Sequence, residues 1–367
     1  LLSGEYQKKI PVLDVYQLQI PKDLTVPEML SVMRRNPDVE YAEPDYKTYI
    51  CSRPDDTFFN YQYALLNTGQ PIGPPGSITG KHGADIRATE GWDITVGDKS
   101  VVVAVVDTGI DRTHPDLQKN ILTGGWNFIE DTDDVTDDNG HGTFISGVIA
   151  ADTDNGIGIS GVTWNCKILP IKGIDAQGEG YASAMIHAII WATDQKVDII
   201  NMSVGADGPS RALKSALKYA FDHDIVIVSS SGNNHSDVAY PAAYDEYSLA
   251  VSATNYKDEF LDMSNRGPEI DVAAPGERII GCVPEWILVD QAFPYEFWTG
   301  TSIAAAHVSG LAALIKSFKP WLTNTEIMNV IRYTADDVNS TEFSGKDNYI
   351  GYGRINIKKA LVPTVLK

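Results

Sequence analysis

The chain has 367 residues, 43% of them apolar, enough to bury a large core and to form one big domain with a small one beside it. Its formal charge of −20 repels phosphate backbones and argues against nucleic acid as a partner. No apolar run approaches the roughly 20 residues that span a bilayer, so no membrane association is expected, and Cys51, Cys166 and Cys282 are too few and too scattered for a disulfide framework or a zinc site.

The first 50 residues read as a unit of their own. Leu1-Leu2 is too short to be the apolar stretch of an export signal. Asp14 to Ile20 alternates as a half-buried strand, Val26 to Arg35 has helical spacing, and Val39 to Tyr49 returns to extended character. Cys51 stands in the linker that follows, and Gly69 to Gly83, rich in glycine and proline, reads as an irregular surface loop. From residue 100 onward, short apolar runs alternate with helix-like segments, the pattern of a parallel sheet covered on both faces. Strands are expected at Val101 to Val106, Cys166 to Ile171, Asp198 to Val204, Ile225 to Ser230 and Ser248 to Ala253. Helices are expected at His141 to Ala151, Ala182 to Gln195, Arg211 to Asp222, Ser302 to Ser317 and Thr325 to Thr334. In such sheets ligands collect outside the carboxyl ends of the strands, where Asp107, Ser203 and Asn233 stand.

Three short strings carry chemistry. An apolar strand ends in Asp107-Thr108-Gly109, Asn139-Gly140-His141-Gly142-Thr143 opens a helix with a histidine, and Gly300-Thr301-Ser302 puts a serine at the mouth of a small-residue helix. Each alone has a plain explanation: a serine at a helix start is commonly a cap, and an Asp after a strand or a His between glycines is commonly a turn residue. Together they fit nucleophilic catalysis. A serine hydroxyl is a poor nucleophile until a neighbouring base takes its proton; His141 is the candidate base for Ser302, and Asp107 would fix its tautomer and stabilise the imidazolium. His114 is the nearest rival, but its Pro-containing turn favours a structural role.

Asp-Thr-Gly, His-Gly-Thr and Gly-Thr-Ser-x-Ala-x-x-His-Val-x-Gly resemble the signature segments of the subtilisin-like serine peptidases, and the chain order Asp, His, Ser is the one of that arrangement. The resemblance runs from about residue 52 to the C-terminus. Pro54 to Tyr63 is similar to the start of a mature subtilase, and Asn36 to Tyr46 to the end of the family's inhibitory propeptide, of which only the second half is matched. It implies an α/β, subtilisin-like three-layer fold with a mostly parallel central sheet over residues 51–367, preceded by a small α+β prosegment over 1–50. It further implies a serine endopeptidase working through Asp107, His141, Ser302 and an acyl-enzyme, with the Asn233 side chain and the Ser302 N–H as oxyanion donors.

The same resemblance assigns Gly178-Glu179-Gly180 and Ser203-Val204-Gly205 to the two segments that sandwich the substrate as an added strand; the first reads equally well as a glycine turn. Ala239 corresponds to the floor of the primary specificity pocket, where a methyl leaves room for a large apolar or aromatic side chain before the scissile bond. Calcium (Ca2+) is the implied cofactor, since hard cations want oxygen ligands and the loop Asp152 to Ile159 has the length of the thermitase-like branch. Asp56, Asp116 and the side chain of Asn155, with the carbonyls of Asp152, Ile157 and Ile159, would bind it. The acidic run Glu130 to Asp138 reads as a solvated loop, a further ion being the alternative. Pro284 to Trp298, longer and more aromatic than the family pattern, is either a packed surface loop or a wall of the leaving-group side of the cleft.

A secreted monomer is expected, with protein and peptide substrates, its own prosegment as an intramolecular inhibitor, and self-cleavage near Tyr49. Two other classes compete. An inactive peptide-binding scaffold is disfavoured by intact Asp107, His141, Ser302 and Asn233, and an α/β-hydrolase esterase would need a G-x-S-x-G elbow and the order Ser, acid, His.

Overall fold

A computed structural model describes residues 5–10, 15–21, 24–44, 53–74, 77–206, 208–288, 293–339 and 341–362, and the chain divides into two compact units, Leu1–Ile50 and Cys51–Lys367. In the first unit, β1 (Glu5–Ile10) pairs antiparallel with β2 (Val15–Gln19), and α1 (Val26–Met33) follows. Glu28 reaches back to the Thr25 N–H (2.8 Å) and hydroxyl (2.7 Å), which caps α1 at its start. β1 was not anticipated, because its Lys8-Lys9 pair hides any apolar alternation. The exit expected to run to Tyr49, with Cys51 and the bond expected to be cut, lies outside the described residues.

In the second unit, after a short helix α2 (Ala88–Trp92), the run Val102-Val103-Ala104-Val105-Val106 has no polar alternation, so both its faces must be covered. It forms β3 (Val102–Asp107). With β4 (Trp126–Asn127), β5 (Lys167–Lys172), β6 (Ile199–Met202), β7 (Val226–Ser230), β8 (Leu249–Thr254) and β9 (Ile270–Pro275) it builds a seven-stranded parallel sheet in the order β4-β5-β3-β6-β7-β8-β9. Val103 and Val105 join the core shared with α3 (His141–Ala150), α6 (Thr301–Phe318) and α7 (Asn324–Thr334). Ala104 and Val106 face α4 (Ala182–Asp194) and α5 (Arg211–Asp222) on the other side. The result is the three-layer α/β architecture, closed by a β10 (Ile279–Cys282) and β11 (Tyr295–Trp298) hairpin and by α8 (Ile357–Leu361).

Every strand and helix expected between Asp14 and Arg35 and from residue 100 onward is present with its ends moved by a residue or two, whereas the extended segment expected from Val39 forms no strand over its described residues 39–44. One expectation needs correction: the 18-residue α6 is long and apolar enough, by length and composition, to cross a membrane. Its residues Thr301 to Ile315 are all buried in the domain, so its apolar character is that of a core helix. Cys166 and Cys282 are buried free thiols.

The chain order turns back at β3: β5 is laid on one side of it and β6 on the other. That reversal opens a crevice at the carboxyl ends of β3 and β6. Asp107 ends β3, Ser203 follows β6, and Asn233 comes three residues after β7.

Candidate active site

The turn after β3 and the start of α3 are tied together by a residue that sequence reading missed. Asp137 is 2% exposed, although it falls in the run expected to be a solvated loop. Its Oδ1 accepts hydrogen bonds from the Thr108 hydroxyl (2.8 Å) and from the N–H groups of Asn139 (3.1 Å) and Gly140 (2.8 Å). Its Oδ2 accepts from the Thr143 N–H (2.9 Å) and hydroxyl (2.6 Å). The Thr108 hydroxyl in turn accepts from the Gly142 N–H at 2.9 Å. Only glycine fits at 142, since a Cβ there would stand 2.1 Å from the Gly109 carbonyl oxygen. A signal for Asp137 existed in Asp137-Asp138-Asn139-Gly140, a turn-forming string just before a helix; the surrounding charge obscured it.

This packing brings the Nδ1 of His141 within 2.7 Å of Asp107 Oδ1, which also accepts the Thr108 N–H at 2.8 Å. Burial alone would depress the imidazole, but the facing Asp107 carboxylate and, beyond it, Asp137 outweigh burial and hold His141 above the ordinary imidazole range. His114, by contrast, is buried, with Nε2 against the Pro294 carbonyl (2.9 Å) and Nδ1 accepting the Asp116 N–H (3.2 Å).

The serine half is built from the core outward. Ser309 donates to Asn201 Oδ1 (2.8 Å), Asn201 to the Ser203 hydroxyl (3.0 Å), and that hydroxyl to the Ser302 carbonyl (3.0 Å). Ser302 Oγ donates to the Ser203 carbonyl at 3.2 Å, and among the described residues it makes no hydrogen bond with His141. Asn233 Oδ1 accepts from the Thr301 N–H (2.9 Å) and hydroxyl (3.0 Å), which turns the amide NH₂ end outward. Among the described residues neither that NH₂ nor the Ser302 N–H has an acceptor.

A groove of about 540 Å³ runs past Asp107 and His141, between Gly178 to Tyr181 on one side and Ser203 to Ala206 on the other. Ile174, Met185 and Leu213 are among its apolar lining residues. Ala239 packs between the second segment and the Asn233 turn, its methyl 3.3 Å from where a Cβ on Gly205 would stand and 3.4 Å from one on Gly232. Ala206 and Tyr240 exchange backbone hydrogen bonds (2.7 and 3.1 Å), so these two segments form one wall.

In the loop that follows the C-terminal end of α3, Asp56 Oδ1 accepts the Asn155 N–H (3.1 Å), while Asp116 accepts the Asn155 amide (2.8 Å), the Ile159 N–H (2.8 Å) and the Tyr295 hydroxyl. Burial, with Asp56 nearby, pushes Asp116 up to about 7. Among the described residues the carbonyls of Asp152, Ile157 and Ile159 accept no hydrogen bond. Nor do three His, Cys, Asp or Glu side chains converge anywhere among those residues. A bound ion here must therefore draw most of its ligands from carbonyl and amide oxygens. That donor chemistry fits a hard cation.

The loop Pro284 to Trp298 packs beside the histidine. Ile287 Cδ1 stands 2.1 Å from where a Cβ on Gly140 would be, and Trp298 lies flat on Phe144 (ring centroids 4.6 Å, 2°) and near-parallel to His141 (6.4 Å, 19°). Its residues 289–292 are outside the described set.

Comparison with known proteins places the chain in a family. Residues 98–353 match the model of the subtilase family and residues 1–45 that of the fervidolysin N-terminal prodomain. The thermophilic serine proteinase of Bacillus sp. (strain AK1) is 36% identical over 337 residues, which cover 92% of this chain and 76% of that protein. The major intracellular serine protease of Bacillus subtilis (strain 168) is 41% identical over 245 residues, 64% of this chain and 74% of the relative. A solved structure of a protease from Pseudoalteromonas arctica PAMC 21717 superposes with a TM-score of 0.73 at 27% identity, covering 84% of this chain and 99% of that one. With well over half of its length matched, the chain belongs to the subtilase family and is a subtilisin-like serine endopeptidase that carries a prodomain.

Proposed function

We propose that the enzyme hydrolyses peptide bonds through an Asp107-His141-Ser302 triad. The observation that carries this reading is the 2.7 Å bond between Asp107 and His141 Nδ1, which leaves Nε2 for the groove. His141 takes the Ser302 proton as the hydroxyl attacks the carbonyl carbon, and Asp107 keeps Nδ1 protonated and stabilises the imidazolium. The developing oxyanion is received by the Asn233 NH₂ and the Ser302 N–H. His141 then protonates the leaving amine, and water hydrolyses the acyl-enzyme by the same route in reverse. Attack requires Ser302 Oγ to leave the Ser203 carbonyl, a tightening on substrate binding that apo sites commonly need.

Gly178, Glu179 and Gly180 with Ser203, Val204 and Gly205 would hold the peptide as an added strand. Ala239, assigned to the pocket floor by the family resemblance, and the apolar lining of Ile174, Met185 and Leu213 would favour large apolar side chains before the cut. Calcium would be held by Asp56, Asp116, Asn155 and the carbonyls of Asp152, Ile157 and Ile159, where it neutralises two buried carboxylates and stabilises the fold. We assign residues 1–50 to an inhibitory prosegment and 51–367 to a monomeric catalytic domain. Secretion rests on the prodomain alone, since one relative is named an intracellular protease.

The test is digestion of denatured casein by wild type and Ser302→Ala, with the cleaved bonds mapped. Cuts after large apolar residues by wild type only are expected; cuts after basic residues, or an active Ser302→Ala, would refute the reading.

A further inference from the structure

We propose that Asp137 is a positioning residue for this reaction: its buried carboxylate clasps the turn carrying Asp107 to the helix start carrying His141 and so sets the imidazole against its aspartate. The inference rests on the triad reading above. All five of its hydrogen bonds come from residues within two positions of Asp107 or His141, namely Thr108, Asn139, Gly140 and Thr143. At 2% exposure, and absent from the groove lining, Asp137 cannot touch substrate. The two segments it joins are 29 residues apart at Thr108 and Asp137, and the Thr108 hydroxyl completes the clasp by also accepting the Gly142 N–H.

The carboxylate form is what the site requires. All five partners donate, so an acceptor-only group satisfies every one, and its negative charge suits the N-terminus of the ten-residue α3. Asparagine keeps one acceptor oxygen but turns an NH₂ toward donors, so either the Thr108 side or the Thr143 side must open. The charged groups acting on His141 are Asp107 from β3 and Asp137 from the preceding turn, and the nearby cation of β5, Lys172, is held elsewhere. Lys172 bonds the Thr108 carbonyl (2.7 Å) and is neutralised by Asp138. The β11 neighbour, Trp298, brings no charge.

Asp137→Asn is expected to lower kcat about tenfold to a hundredfold, the effect of a misplaced catalytic group, with KM nearly unchanged. The acid limb of kcat/KM should move to lower pH, because a negative charge facing the imidazole is gone. Thr108→Val keeps that charge but removes the shared hydroxyl, so it should lower kcat while leaving the acid limb in place, and Thr108→Ser should restore kcat. A purely structural role would lower the melting temperature and leave the kcat of folded protein and its pH profile alone. Should Asp137→Asn fail to fold, the Thr108 pair decides the matter: wild-type kcat in Thr108→Val overturns the proposal. If Ser302→Ala is inactive while Asp137→Asn and Thr108→Val are normal, the clasp alone is wrong; if Ser302→Ala is active, the triad reading falls and the clasp with it.

Discussion

Asp137 and Asp116 are two buried aspartates, 2% and 0% exposed, that meet the same electrostatic problem in opposite ways. Asp137 is ringed by five donors from its own neighbourhood, which is how a carboxylate is held inside a protein without a counter-ion. Asp116 has three donors, a second carboxylate in Asp56, and a loop whose carbonyls at Asp152, Ile157 and Ile159 accept nothing among the described residues. Local turn chemistry completes the first site. The second is left short of positive charge, and the hard cation proposed above would supply what it lacks. His307 shows a third outcome: buried, with Nδ1 unpartnered among the described residues, it is pushed down to about 4 by burial and stays neutral.

This contrast separates catalysis from stability, and the largest test falls on the catalytic side. Asp107→Ala, His141→Ala and Ser302→Ala should each remove activity by on the order of 10⁴-fold or more, the scale known for a subtilisin, with unchanged melting. Because the three act as one unit, the triple variant should be little worse than the worst single one; losses that multiply would contradict a shared mechanism. Asn233→Ala comes next, with an expected fall in kcat of about 10² to 10³-fold, again the scale of a subtilisin, and little change in KM. A change confined to KM would remove Asn233 from the oxyanion role.

On the stability side, excess chelator should lower the melting temperature by several degrees, since an ion bound only by the folded loops contributes about 2.7 kcal/mol at a hundred times its Kd. Asp116→Asn should blunt that response without touching kcat in the cold. Identical melting with and without chelator would show that Asp116 and Asp56 manage unaided. The smallest effect belongs to His307. Its folded value lies below the ordinary 6.5, so the unfolded chain binds the extra proton; stability from this group is present above 6.5 and lost as pH falls toward 4. About 2 kcal/mol should go between pH 7 and pH 5. His307→Gln should remove that slope, and a slope that persists would assign it to other groups.

Much of the fold was legible because its signals are local. The valine run of β3, the small-residue string of α6 and the amphipathic spacing of α5 each state their own environment. What escaped depends on partners far along the chain. β9 opens with Ile270-Asp271, a poor strand signal until Arg332 of α7 arrives at 2.8 Å to pair Asp271. Tyr295 reaches Asp116 from nearly 180 residues away. Asp137 was misread for another reason: charge in the run Glu130 to Asp138 suggested solvent, while the turn string at its end carried the opposite message. The candidate residues Asp107, His141, Ser302 and Asn233 are proposed from motif, yet their geometry rests on Thr108, Thr301 and Asn201, which sequence alone did not single out.

The most direct test of the central claim is intact-mass and peptide mass spectrometry after treatment with a fluorophosphonate. The account predicts one adduct per molecule, on Ser302, absent from His141→Ala under the same conditions. An adduct on another serine, or equal labelling of Ser302 without His141, would contradict it.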